Sequence, residues 1–310
     1  MRITPFAAAI LVFAASVATA QQVAFTFDDL PSHGNLPPGV TRLQVAQSIL
    51  AILKREHMPP VYGFVNGIRS IDVPDSTAQV LTAWRQAGEP LGSHTWSHPN
   101  LDTISSDDFE SNIAKNEPIL QQYMPNADWH FFRYPYLHEG DTLEKHRAIR
   151  AYLAQHGYTD ASVSLDFEDY LWNNPYARCS ASHDTASIDW LRKSYLETAG
   201  QYIQVFRQSS QLLYGREIPY VLLLHIGAFD AQMLPQLIDL FRSRGFTFIT
   251  LPQALADPAY HHDPDIGYPG GGTLEEYEIA ARHLKFPPNH KPYKQLDAIC
   301  RAAPETSPKP

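Results

Sequence analysis

The chain has 310 residues, 44% of them hydrophobic, and a formal charge of −9 from 24 basic and 33 acidic side chains. That is enough apolar material for one large domain or two small ones. The acidic balance argues against nucleic acid as a partner, which needs clustered Lys and Arg, and is compatible with a neutral or cationic polymer.

In chain order, residues 1–20 stand apart. Arg2 precedes an apolar run from Phe6 to Val17, closed by Ala18-Thr19-Ala20. A basic start, a short apolar stretch and an A-x-A end predict a signal peptide cut after Ala20. The run is too short for a membrane anchor, which takes about 20 residues. The expected location is therefore secreted or periplasmic, with no stable membrane anchor after cleavage.

Beyond the leader, short apolar runs predict strands at 23–27, 61–65, 90–93, 129–133, 161–165, 220–225 and 246–250. Amphipathic stretches between them, with apolar residues at spacings of three and four, predict helices near 41–57, 75–87, 106–124, 141–156, 187–213 and 231–244. Such alternation implies a parallel α/β sheet or barrel with helices outside. Seven strands suggest a barrel incomplete relative to eight-fold closure, with its chemistry at the C-terminal strand ends. Residues 253–310 are rich in Pro, Gly, Tyr and His, with two short helices expected near 273–285 and 291–301. They read as an extension packed on the domain at 21–252, with a disordered end from Pro304. Cys179 and Cys300 are the two cysteines. Export permits a disulfide between them; two buried thiols are the other reading.

The predicted strand ends carry the polar residues. Thr26-Phe27-Asp28-Asp29 ends the first strand. Side chains alternate along a strand, so one carboxylate can bind a metal while the other meets a substrate water. The same pair can also simply begin a loop. His94 and His98 follow the third strand at a spacing that brings two imidazoles to one ion, a weak signal alone. With Asp29 they make a two-histidine, one-carboxylate set suited to zinc, cobalt, iron or manganese. Asp28 is then the candidate general base. His225 closes an apolar strand and can protonate a leaving group, with Asp166 as the carboxylate holding its ring; packed-core and loop-capping roles are the plain alternatives. Arg133 can orient Asp28, and the backbone N–H of Tyr136 can face a developing oxyanion. Trp96, Tyr136, Tyr170 and Trp172 offer faces for sugar rings, or are ordinary core aromatics.

These segments, in this order, resemble the five motifs of the NodB-type polysaccharide deacetylases, carbohydrate esterase family 4, over residues 23–252. The resemblance implies a distorted, incomplete (β/α)7-type barrel. It implies Asp28 as base, Asp29, His94 and His98 as metal ligands, and Arg133 and Tyr136 as orienting residues. From Asp166-Phe167-Glu168-Asp169-Tyr170 it implies Asp166 as partner of the acid His225. Tyr170 stands where the pattern has Trp. The function implied is metal-dependent removal of N-acetyl groups from amino sugars of a polysaccharide (peptidoglycan, chitin-type or another surface glycan), with Zn2+ or Co2+ as cofactor. O-acetyl ester hydrolysis on xylan-type glycans and a non-catalytic carbohydrate-binding relative are the alternatives.

Overall fold

The structure, a computed structural model, describes residues 21–301. The leader expected at 1–20 and the disordered end expected from Pro304 lie outside the described residues. The elements in order are β1 (Gln21–Leu30), α1 (Arg42–Arg55), β2 (Tyr62–Val65), α2 (Arg69–Asp72), α3 (Pro74–Gln86), β3 (Leu91–Ser93), α4 (Ser106–Tyr123), β4 (Phe131–Phe132), α5 (Leu143–Gln155), β5 (Thr159–Asp160), α6 (Asn173–Ala181), α7 (Thr185–Tyr214), β6 (Tyr220–His225), α8 (Ala228–Ser243), β7 (Phe246–Phe248), α9 (Leu251–Leu255), α10 (Leu274–Ala281) and α11 (Tyr293–Ala298).

All strand pairs are parallel. The sheet order is β5-β4-β3-β2-β1-β6, with β7 joined to the foot of β1. β1 is the central strand, and residues 23–28 are buried because neighbours and helices cover both faces. The sheet curls into a distorted, incomplete barrel. Its wall is drawn round by residues 161–165, which leave β4 through the Ala161 N–H to Phe132 carbonyl bond and reach β6 at the Leu165–Leu222 bridge.

The fifth strand therefore differs from expectation. Only Thr159–Asp160 pair as a strand, and 161–165 act as the diagonal crossing between β4 and β6. That run reads as apolar because Ala161, Val163 and Leu165 are buried, Ala161 in one core cluster and Leu165 in the other. Burial alone could not separate a strand from a crossing segment. Among the described residues, no helix is long and apolar enough to cross a membrane.

Residues 262–301 return across the rim. Tyr268 N–H donates to the Gly140 carbonyl and Gly272 N–H to that of Leu137. Gly271 has φ +65°, and a Cβ there would lie 2.3 Å from His138 and 2.7 Å from the Tyr136 carbonyl oxygen. Only glycine fits that turn. Further on, Cys300 is disulfide-bonded to Cys179 of α6, and Arg178 donates to the carbonyls of Leu296 and Ile299.

Candidate active site

A cavity of about 330 Å³ opens at the C-terminal ends of the strands. Asp28, Asp29, His33, His94, His98, Tyr136, Asp166, Glu168, Tyr170 and His225 lie in its wall. The two adjacent aspartates both reach it, because strand alternation fails at that point. The β1–β2 register slips between Phe27 and Leu30, and Asp29 sits at φ +64°. This left-handed residue turns the second carboxylate back toward the side of the first. Thr95, His98, Tyr136, Leu137 and Glu168 share the left-handed conformation, with φ between 55° and 65°. Non-glycine residues rarely adopt it, and their clustering on one rim marks a site where geometry has been favoured over backbone ease.

The three expected ligands come together. Asp29 Oδ1 lies 3.6 Å from His94 Nε2 and 3.5 Å from His98 Nε2, and the two imidazole nitrogens are 3.1 Å apart. His94 Nδ1 is 2.8 Å from the Arg133 carbonyl oxygen. A carbonyl only accepts, so Nδ1 carries the hydrogen and Nε2 presents its lone pair to the cluster. Burial, then the His94 ring, pushes His98 down to about 3, so its ring is neutral at pH 7. Burial alone would raise Asp29, but a hydrogen bond from His33 and the nearby rings of His98, His225 and His94 outweigh it and hold the carboxyl well below its usual range. One carboxylate oxygen and two imidazole nitrogens, all within 4.8 Å of one another, suit a divalent cation.

Asp28 stands beside them, its Oδ2 3.7 Å from His94 Nε2. The Arg133 guanidinium holds both its oxygens, at 3.2 and 3.3 Å. Arg133 is buried and is itself fixed by the Ala161 carbonyl, by Thr26 Oγ1 and by the Phe64 ring, 4.5 Å away. Asp28 and His225 are register partners on adjacent strands.

The carboxylate holding His225 is Asp169, not Asp166. Asp169 Oδ1 is 2.8 Å from His225 Nδ1, and its Oδ2 accepts the His225 backbone N–H at 2.7 Å. This leaves Nε2 as the nitrogen available to the cavity. The cause is local. Glu168 is left-handed, and a 3-10 turn over Asp169–Trp172 follows it, swinging the second carboxylate inward onto β6. Asp166 remains in the cavity wall, where its Oδ1 accepts the Glu168 N–H. Burial pushes Asp166 up to about 6 and Asp169 up to about 7.

The aromatic expectations divide. Tyr170 is 37% exposed, with its ring 5.2 Å from that of His225. Trp172 is fully buried against Phe167 and Tyr195, and its Nε1 donates to Ser194. It is a core residue, because the same 3-10 turn carries the indole away from solvent. Trp96 packs over Gly67 beneath Lys115, outside the cavity wall. Tyr136, expected to act through its backbone, also presents a 57% exposed ring beside His98.

Sequence reasoning missed His33, whose Nδ1 is 2.7 Å from Asp29 Oδ2. Four residues after Asp29, it had a signal only in its nearness along the chain. Also missed was the return of the tail to the site. Gly270 lines the cavity, and Glu168 is held by Lys291 and by the Tyr293 hydroxyl.

A family model described as polysaccharide deacetylase matches residues 16–161. A peptidoglycan-N-acetylglucosamine deacetylase of Bacillus cereus is 31% identical over 126 residues, which are 40% of this chain and 38% of that protein. The chain thus matches well under half of that relative's length. A chitin deacetylase of Colletotrichum lindemuthianum is 26% identical over 239 residues, 76% of this chain and 79% of that one. The solved structure of the chitin deacetylase from that fungus has the same fold, with a TM-score of 0.52 at 24% identity over 82% of this chain and 94% of that one.

Proposed function

We propose that this chain, which matches a polysaccharide deacetylase family model over residues 16–161, is an exported metal-dependent hydrolase that removes N-acetyl groups from amino sugars in a chitin-type, peptidoglycan or other surface glycan. One observation carries the reading. A carboxylate clamped by a buried guanidinium and an imidazole clamped by a buried carboxylate share one cavity with a three-donor cluster.

Asp29, His94 and His98 would hold a divalent ion, zinc in this reading. When bound, it would polarise the acetyl carbonyl and make water acidic enough to attack near neutral pH. The chain's own groups do the rest. Asp28 takes the proton of the attacking water, and Arg133, bonded to both its oxygens, keeps that carboxylate aimed. The Tyr136 N–H faces the developing oxyanion. His225 gives a proton from Nε2 to the departing amine nitrogen, and the sugar leaves as a free amine with acetate as the other product. Asp169 sets the tautomer that makes this possible, since Nδ1 must carry the hydrogen when it faces a carboxylate. Tyr170 and Tyr136 are the exposed rings on which the apolar faces of a sugar would stack.

The test is acetate release from a panel of acetylated glycans with the secreted protein, before and after chelation. The expected result is release from N-acetylated oligomers that chelator abolishes and zinc restores. Release from O-acetylated xylan alone would replace the amide reading with an ester one. No release from any glycan would leave a carbohydrate-binding role.

A further inference from the structure

The two oxygens of Asp29 meet different imidazoles. Oδ1 lies 3.6 Å from His94 Nε2 and 3.5 Å from His98 Nε2. Oδ2 lies 2.7 Å from His33 Nδ1. An ion on Asp29, His94 and His98 makes no use of His33. The His33 ring in turn stands 4.5 Å from that of His225, centroid to centroid. Asp29, His33 and His225 thus form a second set of one carboxylate and two imidazoles, with donor atoms all within 4.8 Å of one another. All three are partly exposed and line the same cavity, so an ion can reach them from solvent.

His225 is prepared as metal-binding histidines are, with its far nitrogen held by a carboxylate. Its Nδ1 is 2.8 Å from Asp169 Oδ1, which leaves Nε2 for the cavity. The Arg133 carbonyl does the same for His94. His33 and Asp29 are already close to ligand spacing. Donors at about 2.0–2.2 Å from one zinc ion stand roughly 3.3 Å apart, so the pair need part by only about half an ångström. An ion there takes the place of the hydrogen between them, and that hydrogen moves to His33 Nε2. Asp28, Asp166 and Glu168 in the same wall supply negative charge to offset a second cation.

We propose that Asp29, His33 and His225 form a second, weaker divalent-cation site, which shares Asp29 with the first and stops catalysis when it fills. Asp29 then bridges two ions, one on each oxygen, as carboxylates do in two-metal centres. The second site is the weaker because its one carboxylate is already committed and the two cations repel. It is inhibitory because His225 Nε2 gives the proton to the departing amine, and a nitrogen whose lone pair is on a metal has no proton to give. The inhibition rests on the proposed deacetylation; the binding does not.

The test uses the full-length protein, stripped with chelator and titrated with zinc chloride in a calorimeter. Wild type should take up two ions per chain, one tightly and one more weakly. His33→Asn keeps an N–H donor for Asp29 Oδ2 and removes the imidazole, so it should keep the tight event and lose the weak one. His225→Ala should do the same. A single event in wild type would overturn the proposal and leave the deacetylase reading standing, and so would a weak event that persists unchanged in His33→Asn. In turnover of an N-acetylated oligomer, zinc in excess of the tight site should inhibit wild type. The zinc concentration that halves turnover should rise about tenfold or more in His33→Asn, since even an outer-shell partner is worth about 10–100-fold in metal affinity. Inhibition of both proteins at the same zinc concentration would overturn the inhibitory role. If no zinc concentration supports turnover, the deacetylase reading falls and the calorimetry still decides whether the second site exists.

Discussion

At the scale of single residues, the site separates by what holds each group. Asp28 is held by Arg133 and lies outside the expected ligand set. Asp28→Asn should therefore abolish turnover, by 10²-fold or more on the usual scale of general-base catalysis (about 10²–10⁴), while metal affinity measured by titration stays near wild type. Loss of the metal would show that Asp28 is a ligand. Away from the site, Glu89 accepts the Val61 N–H at the start of β2, and burial pushes it up to about 7. A folded-state value above the ordinary one means the folded chain binds the proton more tightly than the unfolded chain. Stability should fall as pH rises from about 4.3, the ordinary Glu value, to about 7, and then level off. Glu89→Gln should remove that slope, as read from denaturant midpoints at pH 5 and pH 8. An unchanged slope would remove Glu89 as its source.

At the scale of elements, the site depends on loops that leave regular geometry. The β1 end, the turn after β3, the Pro135–Leu137 turn and the turn before Asp169–Trp172 each contain a left-handed non-glycine residue. The Pro135–Leu137 turn is pinned from outside by the tail at Gly271 and Gly272. Gly271→Ala would place a methyl against His138 and the Tyr136 carbonyl and must displace that turn. Turnover should fall about tenfold, as loss of a well-aimed oxyanion donor does or exceeds, with metal content unchanged. Wild-type turnover in this variant would separate the tail from the proposed chemistry. These turns also mark the limit of what the sequence could tell. That Asp28, Asp29, His94, His98, Arg133 and His225 meet at one rim was legible, because each follows an apolar strand and a parallel sheet delivers strand ends to one rim. Asp169 in place of Asp166, and Trp172 in the core, were not. Both depend on the backbone sign of Glu168, which residue pattern does not encode. The crossing at 161–165 was read as a strand because a buried diagonal segment has the same apolar composition as one.

At the scale of the molecule, distant parts of the chain converge on the rim, and one covalent bond locks the last of them. Cys179 and Cys300 are 121 residues apart. On the chain-entropy account a closure of that length contributes up to about 5 kcal/mol. It also anchors the segment whose Lys291 and Tyr293 grip Glu168. The double variant Cys179→Ser/Cys300→Ser should melt several degrees below wild type and bind oligosaccharide more weakly. A thermal midpoint and affinity that match wild type would make the bond dispensable. Its pairing was not legible beforehand, because nothing along the sequence shows that residues 121 apart meet. The fold class was, because alternating apolar runs and amphipathic stretches leave few other ways to bury both faces of a parallel sheet.

The seam between residues 164–165 and β6 has a further consequence. Ser164 and Leu165 N–H groups both reach the Val221 carbonyl, and Leu223 N–H reaches that of Leu165. The outer flank of β6 thereby spends its amides on its own chain. A long bare margin would invite a neighbouring molecule to add its backbone there, the first step toward fibres. A protein stitched shut along this margin can be kept at high concentration without its sheets growing into one another.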